Sequence, residues 1–423
     1  MRVVQLFLRI KLLKRSRLEP IYGSHIPERF GSYSHEPEKN NLTKPLIWIH
    51  AVSLGESRAA GLLIDELRRN KPGLRFLLTH GTATGRQEGA RWMSEKDIQV
   101  WQPWDTPIIA DKFLCHFKPH IGLLMETEVW PNMVRLCKSK GIPLLLINAR
   151  MSDKSYKKAR KLSWLSKDAF SNLYQVLPQS ELDAIRLRDL GAKVSEPLGN
   201  MKFDASPVMN QLEQSQVWRV NLPNPVVVLA SSREGEELAL LQALTIRNEN
   251  KLNPSTIQWM IVPRHPQRFD DVAQLVVDRG FRLERRTDWE NSGPSQISEF
   301  LNKTIWLGDS MGEMSLYFGM SQLAFLGGSF EPLGGQNLIE ATACGCPILM
   351  GPHTFNFSQV AEQATTTGCA VTLESMQSAV DLAYNLVQDP TALNAMSIAA
   401  KKFSKAHQGA VEKISNRVMN LLG

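Results

Sequence analysis

Short apolar runs of four to six residues, each followed by a Gly, Ser or Asn turn and then by helical spacing, recur along the chain. They fall at 46–50, 75–79, 121–125, 143–147 and 174–177, and again at 226–230, 258–262, 323–326, 347–350 and 370–373. Runs this short, bounded by turn residues, read as strands buried on both faces, and the helical stretches between them as crossovers to parallel neighbours. The pattern predicts an α/β fold of two doubly wound parallel sheets. Between the sets, residues 203–225 are richer in Gln, Asn and Pro and show no strand pattern, which marks a domain boundary. The division expected is a basic apolar segment over 1–20, a first domain over 21–205, a second over 206–398 and a C-terminal helix over 399–423. Ligands of such sheets bind beyond the carboxyl ends of the strands, so tandem domains predict a site between them.

With 43% hydrophobic and 22% charged residues among 423, the chain has the make-up of a soluble globular protein. Its net charge of +7 is concentrated at the start, where Arg2, Arg9, Lys11, Lys14, Arg15 and Arg17 face only Glu19 in the first twenty residues. A nucleic-acid binder spreads its cations over a working surface, so such a partner is not expected. As a helix this terminus places Val3, Leu6, Phe7, Ile10 and Leu13 on one stripe, which fits an anionic membrane surface or docking on the chain's own domain. No apolar run approaches the ~18 residues that span a bilayer, and Arg9 and Lys11 interrupt any signal peptide. The cysteines, Cys115, Cys137, Cys344, Cys346 and Cys369, are odd in number and scattered, as in a reducing compartment. Cys344-Gly-Cys346 lacks the second cluster a zinc site needs.

Four times a Ser or Asn just after an expected strand precedes a Glu by three residues: Ser53 and Glu56, Ser231 and Glu234, Ser310 and Glu313, Asn337 and Glu340. Each is a capping-box spacing, and taken singly it fits a cap as well as a catalyst. Their common position at strand ends gathers helix N–H groups where an anion binds. Glycine-rich loops at 325–329 and 334–337 add close backbone approach, while GxGxxG with its acidic partner and GxxxxGK[ST] are both absent. Met125-Glu126-Thr127-Glu128 sets two carboxylates directly after an apolar run. Beside Glu56 they fit the acid pair of a glycoside hydrolase or the single base of an inverting sugar transferase. Arg264 and His265 end another run as candidate phosphate ligands, and Lys202 stands just before the boundary.

His50-Ala51-Val52-Ser53-Leu54-Gly55-Glu56, the string 125–132, Asn148-Ala149-Arg150, and the strings 199–204, 262–266, 308–313, 325–329 and 351–357 resemble the 3-deoxy-D-manno-octulosonic acid (Kdo) transferases of lipopolysaccharide synthesis. The likeness runs in order over roughly residues 45 to 360. It implies a two-domain glycosyltransferase B fold that moves Kdo, with inversion, from cytidine monophosphate-Kdo (CMP-Kdo) to a glucosamine hydroxyl of a lipid A precursor, lipid IVA, at the cytoplasmic face of the inner membrane. By the same likeness Glu56 is the general base, and Glu126 and Lys202 stabilise the transition state. Pro263, Arg264, Met311, Gly312, Glu313, Asn337, Leu338, Ile339 and Glu340 match the cytidine nucleotide contacts. The family's usual Pro after the matched Asn is Leu338 here, and the first forty residues are shorter and less apolar than a typical family anchor.

A carboxylate at a helix N-terminus is stabilised as the anion, so Glu56 is expected to be ionised at neutral pH. Helix starts at Ser310 and Asn337, with Arg264, would hold the leaving phosphate, and no metal is then required. The competing readings are another B-fold transferase or a nucleotide-sugar epimerase using a uridine diphosphate sugar. A membrane-surface scaffold without catalysis is the alternative from another class.

Overall fold

The computed structural model describes residues 12, 16, 17, 19–37, 45–249, 257–289, 293, 294 and 303–422. The chain divides into two compact units, residues 1–205 with 408–423, and residues 206–407.

The N-terminal unit is built on β1 (Leu46–His50), β2 (Arg75–His80), β3 (Ile98–Trp101), β4 (Ile121–Met125), β5 (Leu144–Ala149) and β6 (Gln175–Pro178). All pair in parallel, in the order β3-β2-β1-β4-β5-β6, so the winding reverses between β1 and β4. The connecting helices are α1 (Leu54–Asn70), α2 (Ala83–Ala90), α3 (Pro107–Phe117), α4 (Pro131–Ser139), α5 (Asp153–Lys161), α6 (Ser163–Ser171) and α7 (Glu181–Asp189). Every residue of β1, β4 and β5 is buried. Successive side chains enter opposite clusters, Trp48, Leu124 and Leu146 in one and Ile49, Leu123 and Ile147 in the other, which is why these strands read as unbroken apolar runs.

The C-terminal unit starts with α8 (Met209–Val220), inside the segment expected as a linker, and continues through β7 (Val226–Ser232), α9 (Glu236–Glu249), β8 (Gln258–Pro263) and α10 (Phe269–Asp278). Next come β9 (Arg282–Arg285), β10 (Thr304–Leu307), α11 (Met314–Met320), β11 (Leu323–Leu326), α12 (Ile339–Ala343), β12 (Ile348–Met350) and α13 (Ser358–Thr366). It ends with β13 (Ala370–Thr372), α14 (Met376–Val387) and α15 (Pro390–Ala406). The sheet is again parallel, in the order β13-β12-β11-β7-β8-β10-β9.

Three strands escaped the sequence pattern. β3 and β9 are four-residue edge strands with polar positions, and Arg282 at the start of β9 is exposed. β10 is fully buried but only four residues long. The helix expected over 399–423 is also corrected. α15 runs through Ala406, the chain turns at Gly409 with φ +98°, and a separate α16 (Ala410–Leu422) returns to the N-terminal unit. There Ile414 and Val418 join the cluster of Leu63 and Leu67. Asp204 accepts the Gly409 and Val411 N–H groups at the start of α16. The apolar stripe expected over the first thirteen residues lies outside the described residues.

Candidate functional site

At the switch point of the N-terminal sheet, β1 ends and Ser53 caps α1 by accepting the Glu56 N–H at 3.3 Å. The Glu56 carboxylate turns back, accepting the Val52 N–H at 2.8 Å and the Ser53 hydroxyl at 2.9 Å. This is the expected cap, yet the expected ionisation does not follow. Burial, then the charge of Glu126, push the Glu56 pKa up to about 7, outweighing the two hydrogen bonds. The neighbouring turn is held tightly against this one. Thr82 donates to the Val52 carbonyl at 2.7 Å, and a Cβ on Gly85 would sit 2.5 Å from that oxygen, so no other residue fits there.

Glu126, the first residue after β4, takes a left-handed backbone with φ +55°. Its N–H donates to Ile147 at 3.0 Å and its carbonyl accepts from Arg150 at 3.2 Å, so β5 fixes a conformation that costs a side-chain-bearing residue about 1–3 kcal/mol. The reward is aim: Lys202 Nζ lies 2.7 Å from Glu126 Oε1. Lys202 therefore is no free surface lysine. It sits in the short helix Met201–Asp204, behind Gly199 with φ +93°. Glu128 instead accepts the Trp130 indole N–H at 3.0 Å.

Sequence reasoning gave Asn148 no role. It is fully buried with φ +49°, and its Oδ1 accepts the Met201 N–H at 3.0 Å while Gln179 donates to its carbonyl at 2.8 Å. Asn148 thus ties the end of β5 to the turn bearing Lys202. The signal was a polar side chain at the end of an otherwise apolar run. Behind the turn, His50 and His80 are buried at the ends of β1 and β2, and burial lowers their pKa to about 3 and about 4, so both are neutral.

The C-terminal unit distributes its charges differently. Ser231, with φ +56°, lies within β7 and starts no helix, and Glu234 is exposed, pairing with Arg233 at 3.1 Å and Arg268 at 3.6 Å. The carboxylates that organise this turn are Glu236 and Glu237, which the spacing did not indicate. Glu236, with no exposed surface, accepts the N–H groups of Arg233 at 2.9 Å, Gly328 at 2.7 Å and Phe330 at 3.1 Å. Glu237 takes the Ser232 hydroxyl at 2.7 Å and a two-pronged Arg268 at 2.7 and 3.1 Å. A Cβ on Gly327 would stand 2.2 Å from the Ser231 carbonyl oxygen, so only glycine lets these strand ends meet.

Arg264, directly after Pro263 at the end of β8, donates its N–H to Ser232 at 3.0 Å and its Nε to Gln336 at 3.2 Å, reaching the second glycine loop. That loop is stitched to the first by Gly335 and Gln336 N–H bonds to Gly328 and Gly327, at 2.7 and 2.9 Å. Burial, then Arg233 and Arg264, hold the His265 pKa below its usual value. Pro263, Arg264 and Asn337 are thus brought to one end of the sheet. The expected capping boxes are not formed, however. Asn337 Oδ1 accepts the Ile339 N–H at 3.1 Å, and α12 starts after Leu338. Leu338 and Ile339 are fully buried, and Glu340 lies in the first turn of this five-residue helix. After β10, the Ser310 hydroxyl donates to Glu313, and Tyr317 lies 2.5 Å from it. Glu313 meets Arg286 at 2.9 Å and precedes the seven-residue α11. Met311 is exposed and the Gly312 carbonyl accepts from Gln211 at 2.9 Å. Helices this short carry little of the dipole the sequence argument invoked.

Among the described residues no group of three or more His, Cys, Asp or Glu side chains is gathered as a metal-ligand set, and no helix is long and apolar enough to cross a membrane. Burial pushes the Cys344 thiol up to about 12.

Comparison with known proteins meets this geometry from outside. Residues 24–205 match the family model described as 3-deoxy-D-manno-octulosonic-acid transferase (kdotransferase). A UDP-GlcNAc 2-epimerase from Neisseria meningitidis bound to UDP-GlcNAc covers 89% of this chain and all of its own, with a TM-score of 0.57 at 14% identity. A glycosyltransferase from Rickettsia africae covers 90% of this chain and 99% of its own, with a TM-score of 0.56 at 14% identity. These likenesses show the fold, two parallel-sheet domains of the glycosyltransferase B type. The 3-deoxy-D-manno-octulosonic acid transferase of Bordetella pertussis is 38% identical over 89% of this chain and 87% of its own length. With that identity over nearly the whole of both chains, and with the matched strings falling on the strand ends described above, the chain belongs to the family of 3-deoxy-D-manno-octulosonic acid transferases.

Proposed function

We propose that this Kdo transferase takes its sugar from CMP-Kdo and delivers it, with inversion, to a glucosamine hydroxyl of a lipid A precursor. The observation that carries the reading is the state of Glu56. Its carboxylate is fixed by two hydrogen bonds, makes no ion pair among the described residues and has a pKa of about 7 beside an ion-paired Glu126. A base is most useful when its pKa lies near the working pH. In the proposed step the acceptor hydroxyl gives its proton to Glu56 as its oxygen bonds the anomeric carbon. The bond from that carbon to the phosphate oxygen breaks, and cytidine monophosphate leaves with the electron pair.

Lys202, held by Glu126, offsets negative charge growing on the donor. Arg264, placed at the end of β8 beside the second glycine loop, receives the leaving phosphate. Pro263, Met311 to Glu313 and Asn337 to Glu340 complete the cytidine nucleotide side. The reading uses no metal, so activity is expected to survive a chelator. Association with the cytoplasmic face of the inner membrane belongs to the same reading, through the basic apolar start of the chain.

Incubation of the full chain with a CMP-Kdo generating system and tetraacyl lipid A precursor, followed by product masses, is the test. One or more added Kdo masses support the reading, and Glu56→Gln abolishes them. Transfer from a uridine diphosphate sugar alone, or release of free Kdo without acceptor, overturns it.

A further inference from the structure

The end of β5 carries a residue that strand pairing does not require. Asn148 is fully buried, its backbone is left-handed with φ +49°, and its Oδ1 accepts the Met201 N–H at 3.0 Å. Its Nδ2 is buried and hydrogen-bonds no described residue, so the oxygen is what the position uses and the amide nitrogen is carried along at a cost. Three demands meet here. The backbone admits Gly, Asn or Asp with little strain, Met201 needs an acceptor, and a site without exposed surface disfavours a charge. Asparagine answers all three.

Both members of the Glu126–Lys202 pair hang from this strand end. Glu126 is fixed by backbone bonds on either side of Asn148, its N–H donating to Ile147 at 3.0 Å and its carbonyl accepting from Arg150 at 3.2 Å. Lys202 directly follows Met201, and Asn200 Oδ1 accepts its N–H at 3.0 Å. The lysine side chain crosses the first turn of α1, where a Cβ on Gly55 would lie 4.0 Å from Lys202 Cε, and so comes beside Glu56. Four rotatable bonds separate that ammonium from its backbone, so holding it 2.7 Å from Glu126 Oε1 requires a fixed root. Leu198, whose N–H donates to Pro178 at 3.0 Å, and Asp204, bonded to the start of α16, secure the two ends of the turn. Asn148 secures its middle. The Met201 side chain, fully buried in one cluster with Met125 and Ile147, is the competing anchor.

We infer that Asn148 is a positioning residue, whose side-chain oxygen fixes the Met201–Asp204 turn so that the Lys202 ammonium stays on Glu126 beside Glu56. Its value to the reaction rests on the reading that Lys202 offsets charge on the donor. The first measurement uses neither donor nor acceptor, so either can fail alone. The full chain is treated with trace acetic anhydride, and acetylation of Lys202 is followed by peptide mass. Asn148→Gly keeps the left-handed backbone, removes the acceptor and acetylates Lys202 about tenfold faster. Asn148→Asp keeps both the conformation and the acceptor and restores the parental rate. Leu187→Ala, which opens a cavity in the other cluster, lowers the Tm and leaves that rate unchanged. An unchanged rate in Asn148→Gly, or the same acceleration in Leu187→Ala, overturns the inference. In turnover, Asn148→Gly lowers kcat about 10–100-fold with the KM for CMP-Kdo within about twofold. Glu126 and Glu128 are the charges that raise the Glu56 pKa, so a Glu126 deprived of its lysine moves the acid limb of kcat/KM up from about 7. A fall in kcat with the limb in place assigns Asn148 to stability alone and overturns the positioning role.

Discussion

Glu56 and Glu236 follow the central strands of their sheets, β1 and β7, at equivalent turns, and their surroundings differ in one respect that decides what each can do. Glu236 is wholly buried and receives three backbone N–H groups from two loops. Glu56 is partly exposed and receives one N–H and one hydroxyl. Burial raises both pKa values. A carboxylate enclosed by donors holds loops together, and one with accessible lone pairs can take a proton from a ligand. The units divide their labour accordingly. The N-terminal one keeps an accessible acid beside an ion pair. The C-terminal one uses its acids to shape the glycine loops that stand beside Arg264.

The largest effect that would break this comparison is on turnover. Glu56→Gln is expected to lower kcat by about 10²–10⁴, and near-parental turnover would remove Glu56 from the role of base. Glu236→Gln tests the other half. One amide oxygen cannot accept three N–H groups and the new NH₂ opposes them, so the unit should lose about 2–4 kcal/mol of stability. Thermal denaturation that matches the parent would show that the loops hold themselves.

Why was one turn legible and the other not? Ser53 and Glu56 lie in an ordinary N-cap register, so spacing alone placed the carboxylate correctly. In the second unit the same spacing pointed to Ser231 and Glu234, but a left-handed residue at Ser231 prolongs β7 and delays α9 to Glu236. Positive φ at a non-glycine residue leaves no trace in a hydrophobic pattern, and the same is true of Glu126 and Asn148. The buried strands were readable because both faces are apolar, whereas β9 lies at an edge with no apolar run. The ionisation of Glu56 was misjudged because a helix-end effect is small beside burial next to a second acid.

A finer probe concerns the pair behind Glu56. Glu126→Gln removes the negative charge that raises the Glu56 pKa and frees Lys202 to act in the same direction. The acid limb of the kcat/KM profile, expected near the Glu56 pKa of about 7, should move down by about one pH unit. A limb that stays in place would mean that another group sets it.

The smallest expected effect separates scaffold from catalyst without any substrate. The Glu56 pKa is about 7 in the fold against an ordinary 4.5, so between those values the unfolded chain releases its proton first. The stability supplied by the protonated form is complete below pH 4.5 and is lost as the pH rises through 7. Screening at a partly exposed carboxyl limits that loss to about 1 kcal/mol. Glu56→Gln carries no such proton. Relative to the parent its Tm should therefore rise between pH 4.5 and pH 8, by roughly 2–4 °C. A Tm difference that is flat with pH would place Glu56 among the solvated acids and leave it no better prepared than Glu234 to receive a proton.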